Sequence, residues 1–185
     1  MSKSKKKSKD KGVDKHSEKV VKFDPNLKTV LIHTDGSCLK NPGGAGGYAA
    51  LMQFHDTERA VSGGFFSTTN NRMELMAAIA GLEKLKYACN VVVYTDSQYL
   101  KNGMTSWIKG WKRKNWMKSK NAKVKNADLW KRLDHETSKH NVRWCWVKGH
   151  SGQRENEICD LLAKEAALQA RKTPWKIDAG YSQES

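Results

Sequence analysis

The segment Thr29-Val30-Leu31-Ile32-His33-Thr34-Asp35-Gly36-Ser37 decides how this chain is to be read. Val30 to Ile32 is an apolar run rich in β-branching, the signature of a strand buried in a sheet. The strand is expected to end at Asp35, with Gly36-Ser37 turning the chain away. A second segment, Val91-Val92-Val93-Tyr94-Thr95-Asp96-Ser97, repeats the design. If the two strands lie side by side and parallel, at the usual spacing of about 4.8 Å, Asp35 and Asp96 meet at one end of the sheet. Open α/β sheets bind ligands at the carboxyl ends of their strands. Two carboxylates about 4 Å apart repel by roughly 4 kcal/mol at an effective dielectric near 20, so a positive charge is expected between them. Asp-Gly is also a common turn, and Asp-Ser a common helix start. A turn, however, has no need of the same Thr-Asp ending on two separate strands.

The rest of the chain sets the context for this pair. At 185 residues it is expected to be one domain with tails, large enough for a proper core. No stretch has the apolar length of a membrane span, and the lysine-rich start lacks the apolar core of a signal peptide. Cys38, Cys89, Cys145 and Cys159 are widely spaced and read as reduced thiols of a cytoplasmic protein. The net charge of +15 is concentrated in two places. Residues 1–29 hold ten lysines against four acids, and residues 101–131 hold nine lysines and Arg113 against Asp128 alone. The remainder is neutral, with fourteen basic and fourteen acidic residues. Two concentrated basic elements on a neutral body point to a polyanionic partner.

Residues 1–28 read as a disordered basic arm, serving either solubility or nucleic-acid contact. The glycine-rich stretch Lys40 to Gly47 lacks the Lys-Ser/Thr of a phosphate-binding loop and opens no helix. Tyr48–Phe54 and Ala60–Phe66 are expected to be strands joined by a polar turn, forming an antiparallel meander with the first. A helix is expected from Asn70 to about Tyr87, burying Leu75, Ala78, Ile79, Leu82 and Leu85. Glu74 in its first turn fits two roles. Asn71-x-x-Glu74 has the spacing of a capping box, and the helix start also lies near the carboxylate edge. Beyond Asp96, Trp107, Trp111 and Trp116 alternate with lysines, a pattern that suits either core packing or sugar–phosphate contact. A further helix over Asn126–Lys139, a strand over Asn141–Val147 and a helix over Glu155–Ala170 complete the domain. Asp160 lies in that last helix, and His150 on the flexible loop before it. Residues 171–185 read as a polar, loosely attached tail.

The motifs Thr-Asp-Gly-Ser at 34–37, Asn-Asn-Arg-Met-Glu-Leu-Met-Ala-Ala at 70–78, Thr-Asp-Ser-Gln-Tyr at 95–99, Trp-Val-Lys-Gly-His-Ser-Gly at 146–152 and Glu-Asn-Glu-x-Cys-Asp at 155–160 occur in this order. Together they resemble type 1 ribonuclease H, over about Thr29 to Ala167, with close matches among bacterial enzymes. The resemblance implies an α/β fold built on a mixed five-stranded sheet, three antiparallel strands then two parallel, flanked by helices. It implies a monomeric endonuclease that hydrolyses the RNA strand of an RNA–DNA hybrid, leaving 5′-phosphate and 3′-hydroxyl ends. It also implies that Asp35, Glu74, Asp96 and Asp160 hold two Mg²⁺ ions, with His150 moving protons or helping product leave. The residue chemistry agrees, since acids without Cys or His ligands make a hard oxygen site suited to Mg²⁺ or Mn²⁺.

By position, the resemblance places Cys38, Asn41, Asn70, Asn71 and Gln98 along the minor groove of the hybrid, where 2′-hydroxyls distinguish RNA from DNA. Trp107, Trp111 and Ser119 match a channel for the DNA strand, and Thr69 and Asn126 a phosphate pocket. Lys109–Lys125 resembles a basic protrusion. Some members carry arginine where Ser67 stands, which implies a weaker phosphate grip here. The N-terminal arm is too short and too poor in aromatics to be the folded hybrid-binding domain of eukaryotic members. Two alternatives remain: a catalytically silent hybrid or duplex-RNA binder, and a metal-dependent nuclease or strand transferase acting on DNA. A pure polyanion binder gains nothing from clustered carboxylates, and the groove-reading positions disfavour a DNA enzyme.

Overall fold

The computed structural model describes residues 21–184. Its centre is a five-stranded sheet in the order β3-β2-β1-β4-β7. The strands are β1 (Thr29–Cys38), β2 (Gly46–Phe54), β3 (Thr57–Phe65), β4 (Asn90–Thr95) and β7 (Asn141–Trp146). The first three form the antiparallel meander, and β4 and β7 join parallel to β1. This is the mixed sheet that the motif order implied.

β1 does not stop at Asp35. Its parallel pairing with β4 ends at Thr34↔Thr95, but its antiparallel pairing with β2 continues from Asp35↔Ala49 to Cys38↔Gly46. Asp35 therefore sits where one neighbour has ended and the other still holds the backbone rigid. The meander strands also start earlier than expected, and β2 and β3 are joined by a two-residue turn at His55-Asp56, with His55 at φ 50°.

Helix α1 (Asn70–Leu82) covers one face of the sheet. Its Met73, Leu75, Ala78, Ile79 and Leu82 join Ile32, Ala50, Val91 and Val93 in the main core. α5 (Arg154–Ala170) covers the other face, placing Cys159 and Ala163 against Ala49 and Leu51. Alternation along β2, with Ala50 facing one layer and Ala49 and Leu51 the other, is what allows one strand to serve both. α1 ends at Leu82, short of the expected Tyr87.

The basic region is built from several short pieces. α2 (Gln98–Asn102) passes through a π-helical turn (Gly103–Trp107) into α3 (Ile108–Arg113). A small hairpin follows, β5 (Met117–Ser119) with β6 (Ala122–Lys123), before α4 (Ala127–Thr137). Trp130 of α4 is fully buried and anchors the protrusion. Its ring lies 5.3 Å from Trp111 and 5.2 Å from Tyr99, and Trp111 in turn packs on Trp107 at 5.6 Å and Trp116 at 6.5 Å.

Both terminal expectations need correction where the structure describes them. The expected arm falls largely on residues 1–20, which lie outside the described residues. Residues 21–28, however, are docked. Asn90 accepts from the Asp24 N–H at 3.0 Å, and its amide donates to the Asp24 and Leu27 carbonyls at 2.7 and 3.2 Å. Arg143 donates to the Val21 carbonyl at 3.1 Å and stacks over Phe23 at 4.6 Å. The tail after α5 is docked too, through a buried Asp178 and a short helix, α6 (Ala179–Glu184). Among the described residues, no helix is long and apolar enough to cross a membrane.

Candidate active site

Three of the four expected carboxylates converge. Asp35, Glu74 and Asp96 each place an oxygen within 4.8 Å of the others. Asp35 arrives from β1, Asp96 just beyond β4, and Glu74 from the first turns of α1. α1 can approach this closely because residue 36 is glycine. A Cβ there would overlap the backbone of Met73 and Glu74.

Glu74 is not a capping residue. Thr69 caps α1, its hydroxyl accepting from the Arg72 N–H at 3.3 Å, so the Asn71-x-x-Glu74 box does not form. The Glu74 side chain turns inward instead and is 5 % exposed. Oε1 has a long contact with the Asn70 amide, at 3.5 Å, and Oε2 is buried without a hydrogen-bond partner; the Gly36 backbone N–H also acts on this carboxylate, opposing the upward shift.

The electrostatics follow from crowding in a dry place. Burial pushes the Asp35 carboxyl up to about 7, and repulsion from Asp96 and then Asp160 adds to it. The Gly36 N–H, donating to Asp35 Oδ1 at 2.7 Å, pulls the other way. Burial likewise holds Glu74 well above the ordinary carboxylate range, with Asp35 and Asp96 reinforcing the shift. Three acids packed together, one oxygen lacking any donor, fit a hard divalent cation. The all-oxygen donor set favours Mg²⁺-like over thiophilic ions.

Asp160 stands apart from the expected foursome. Lys164, one helical turn on, donates to it at 2.6 Å, and it groups with His150 and Glu157, all within 4.8 Å of one another. It still raises Asp35 by charge repulsion, so it borders the cluster without joining it. Lys164 offsets part of the Asp160 charge across this i,i+4 pair. Glu157 was missed from sequence, although Glu157-x-x-Asp160 puts both acids on one helix face. His150 is exposed at φ 51°. Its loop lies against the cluster, since a Cβ on Gly149 would abut Asp96 Oδ2. The Trp146 indole donates to the Asp96 carbonyl at 2.9 Å, holding that corner.

The expected groove-reading residues fall on two rims. Cys38, Asn41 and Asn70 share one, where Asn41 Oδ1 accepts from the Asn70 N–H at 3.0 Å and Gly43 N–H donates to the Thr68 carbonyl at 2.8 Å. Asn71 is exposed beside them, and Gln98 is exposed at the start of α2. Trp107, 39 % exposed, and the half-buried Trp111 line a cleft of about 270 Å³ with Lys114 and Lys118. Ser119 is exposed in the neighbouring hairpin. Thr69 is buried at the helix cap. Asn126 is 1 % exposed, with its amide donating to the Tyr99 hydroxyl at 3.0 Å. It stands behind the surface rather than on it. Ser67 donates to the Gly43 carbonyl at 2.9 Å.

Comparison with known proteins agrees with this fold. The family model for RNase H matches residues 27–168. Ribonuclease H of Aliivibrio salmonicida strain LFI1238 is 54% identical over 155 residues, covering 84% of this chain and 96% of that protein. Ribonuclease H of Aeromonas salmonicida strain A449 is 58% identical over 141 residues, covering 76% and 91%. The crystal structure of LC9-RNase H1, a type 1 RNase H with the type 2 active-site motif, aligns with a TM-score of 0.73 at 31% identity, covering 87% of this chain and 82% of that one. LC11-RNase H1, solved in complex with RNA/DNA hybrid, shares the fold, with a TM-score of 0.59 at 22% identity over 76% of this chain and 98% of that one. A family model spanning most of the chain, and relatives more than half identical across nearly their whole length, lead to one conclusion: the chain belongs to the ribonuclease H family.

Proposed function

We propose that this protein is an endonuclease that hydrolyses the RNA strand of RNA–DNA hybrids in a two-metal-ion reaction, leaving 5′-phosphate and 3′-hydroxyl ends. The observation that carries the reading is the meeting of Asp35, Glu74 and Asp96 within 4.8 Å, with Glu74 Oε2 buried and unpartnered. Such a cluster is costly to an apoprotein and useful to one that binds dications.

Asp35, Glu74 and Asp96 are the residues that would hold Mg²⁺, or Mn²⁺ in its place, with Asp160 at the border of the site. When bound, a pair of such ions supplies an activated water and stabilises the leaving 3′-oxygen of an in-line displacement. The protein's own groups supply the rest. The backbone of β1, still paired to β2 at Asp35, fixes the direction of that carboxylate. The Gly36 N–H keeps one Asp35 oxygen oriented. His150, exposed on a loop that touches Asp96, is placed to carry a proton between the leaving oxygen and solvent. Cys38, Asn41, Asn70 and Asn71 on one rim, and Gln98 at the start of α2, offer short polar groups to the 2′-hydroxyls of a shallow minor groove. Across from it, the aromatic faces of Trp107 and Trp111 beside Lys114 and Lys118 suit the sugar–phosphate of the DNA strand. The protein acts as a monomer in the cytoplasm.

Labelled RNA–DNA hybrid, RNA duplex and DNA duplex, each incubated with the protein in Mg²⁺, test the reading. Cleavage of the hybrid's RNA strand alone is expected. Binding without cleavage would make it a silent hybrid binder, and cutting of DNA duplex a different nuclease on the same fold.

A further inference from the structure

Trp175 sits at the tip of a tight turn, Thr173-Pro174-Trp175-Lys176, closed by the Lys176 N–H donating to the Thr173 carbonyl at 3.0 Å. It is 76 % exposed. A single exposed apolar side chain needs no explanation, but this one has company. The Phe66 N–H donates to the Lys176 carbonyl at 2.9 Å, which brings the exposed Phe66 beside the exposed Trp175 and Ile177. Large apolar side chains grouped in water mark a binding surface.

The turn is held firmly on both sides. Proline fixes one of its dihedrals, and the Thr173 hydroxyl donates to the Ala170 carbonyl at 3.0 Å, at the end of α5. Beyond it stands the buried Asp178. Its oxygens accept from Nε and Nη2 of the buried Arg72, both at 2.7 Å, and from the Thr68 hydroxyl at 2.6 Å. On such a mount a tryptophan, with two side-chain torsions to fix, offers a large flat face at low entropic cost.

Charge selects the kind of partner. From Ala166 to Ile177 the chain carries Arg171, Lys172 and Lys176, all exposed, and no acid. An aromatic face among cations suits a nucleic-acid strand whose bases are free to stack. Position selects the strand. The end of β3 joins this turn to the rim that carries Asn41 and Asn70. Ser67 donates to the Gly43 carbonyl, the Gly43 N–H donates to the Thr68 carbonyl, and a Cβ on Gly43 would lie 3.3 Å from the Tyr181 hydroxyl. Asn70 is four residues from Phe66, so at most about 14 Å separates them. About four stacked nucleotides cover that distance.

We propose that Trp175, with Phe66, Ile177 and the cations Arg171, Lys172 and Lys176, binds single-stranded RNA that continues from the hybrid, stacking a base on the indole. The inference rests on the hybrid-cleaving reading above, which gives the Asn41–Asn70 rim to 2′-hydroxyls and the Trp107–Trp111 cleft to the DNA strand. A hybrid whose RNA runs on unpaired is therefore preferred over one that ends flush.

The test measures affinity by fluorescence anisotropy in chelator, for a blunt hybrid and for the same hybrid with a short single-stranded extension of RNA or of DNA at either end. Wild type is expected to bind one RNA-extended hybrid about tenfold more tightly than the blunt one, the usual worth of a base stacked on an aromatic ring. Trp175→Ala should lose that gain and match wild type within about twofold on the blunt hybrid, while Trp175→Phe keeps part of the gain. Arg171→Ala, Lys172→Ala and Lys176→Ala together should flatten the log–log salt slope for the extended hybrid by about 2 and leave the blunt hybrid's slope unchanged. This charge variant carries the test alone should circular dichroism show Trp175→Ala unfolded. An equal gain from a DNA extension, or a gain that survives Trp175→Ala, overturns the proposal. So does a dimer, seen by sedimentation, that Trp175→Ala splits without touching the extension's gain, since the face would then join two copies. Wild type that cleaves the blunt hybrid in Mg²⁺ but gains nothing from an RNA extension sinks this inference alone. Wild type that cleaves no hybrid sinks it and the proposed function together.

Discussion

Replacing Asp35 with asparagine should stabilise the metal-free protein at neutral pH and leave its stability in acid nearly unchanged. Asp35 is 7 % exposed, and burial with nearby acids lifts its carboxyl to about 7, against about 3.9 in an unfolded chain. A carboxyl raised on folding binds its proton more tightly in the native state. Stability is therefore highest below about pH 4 and is lost as pH climbs through about 7. Three units at about 1.4 kcal/mol each set a ceiling near 4 kcal/mol. Water entry and relaxation around the ionised group lower that figure, so about 1–3 kcal/mol is expected. Asparagine keeps the acceptor for the Gly36 N–H, now 2.7 Å from Asp35 Oδ1, so no hydrogen bond is lost. For a chain of this length each kcal/mol moves Tm by about 2–4 °C. Urea unfolding in chelator, followed by far-UV circular dichroism near pH 4.5, 6 and 8, should show the two proteins converging in acid and separating toward base. Parallel pH profiles would refute the reasoning. In Mg²⁺ the same substitution should reduce hybrid cleavage by well over about tenfold.

Three further outcomes are expected. His150→Ala should slow turnover by about 10²–10⁴-fold, the usual worth of a positioned proton carrier, with Mg²⁺ affinity by calorimetry unchanged; collapse of metal binding would make His150 a ligand. Gly36→Ala should destabilise the protein by about 3 kcal/mol, because its Cβ would meet the backbone at Glu74; chemical denaturation reads this directly, and an unchanged midpoint refutes the close approach. Deleting residues 1–20, which removes eight lysines and three acids, should flatten the salt dependence of hybrid binding and leave Tm unchanged. Extending the deletion to residue 28 should lower Tm by several degrees, since Phe23 and Asp24 are docked. Replacing Arg113, Lys114 and Lys118 with alanine should damage binding more per charge than the shorter deletion; Lys112 is a poor choice because it is already paired to Asp134 at 2.7 Å. Equal damage per charge, read as the log–log salt slope, would contradict a fixed geometry for the protrusion.

What the sequence made legible was what repeats or alternates. Two strands ending in Thr-Asp, an apolar face on α1 and the order of the motifs were enough to place Asp35, Glu74 and Asp96 together. Contacts spanning large sequence distances were not legible. Nothing in the polar run 171–185 marks Asp178 as the partner of Arg72, because an acid in a hydrophilic tail looks the same whether it is solvated or buried. Asp160 is legible as a charge in the motif, but its pairing with Lys164 one turn later is a contact that a linear pattern of charges does not mark. The π-helical turn at Gly103–Trp107 lies where Gly103 abuts the Trp130 ring, with Tyr99 and Trp111 packed on that ring and Trp107 and Trp116 on Trp111. A linear pattern of tryptophans and lysines carries no such three-dimensional constraint.

The docking of residues 21–28 also settles where an attachment to this protein would sit. Asp24 is tied to Asn90, the first residue of β4, while Asp96 lies just past its last. A six-residue strand spans about 17–20 Å, so the chain enters at the end of the sheet opposite the carboxylates. A fluorophore, a surface linker or a second binding module joined just ahead of residue 21 would start a full strand length away from the reacting phosphate. The protein could be immobilised there with its cutting edge facing outward, and the linker length alone would set how far along a duplex that edge could search.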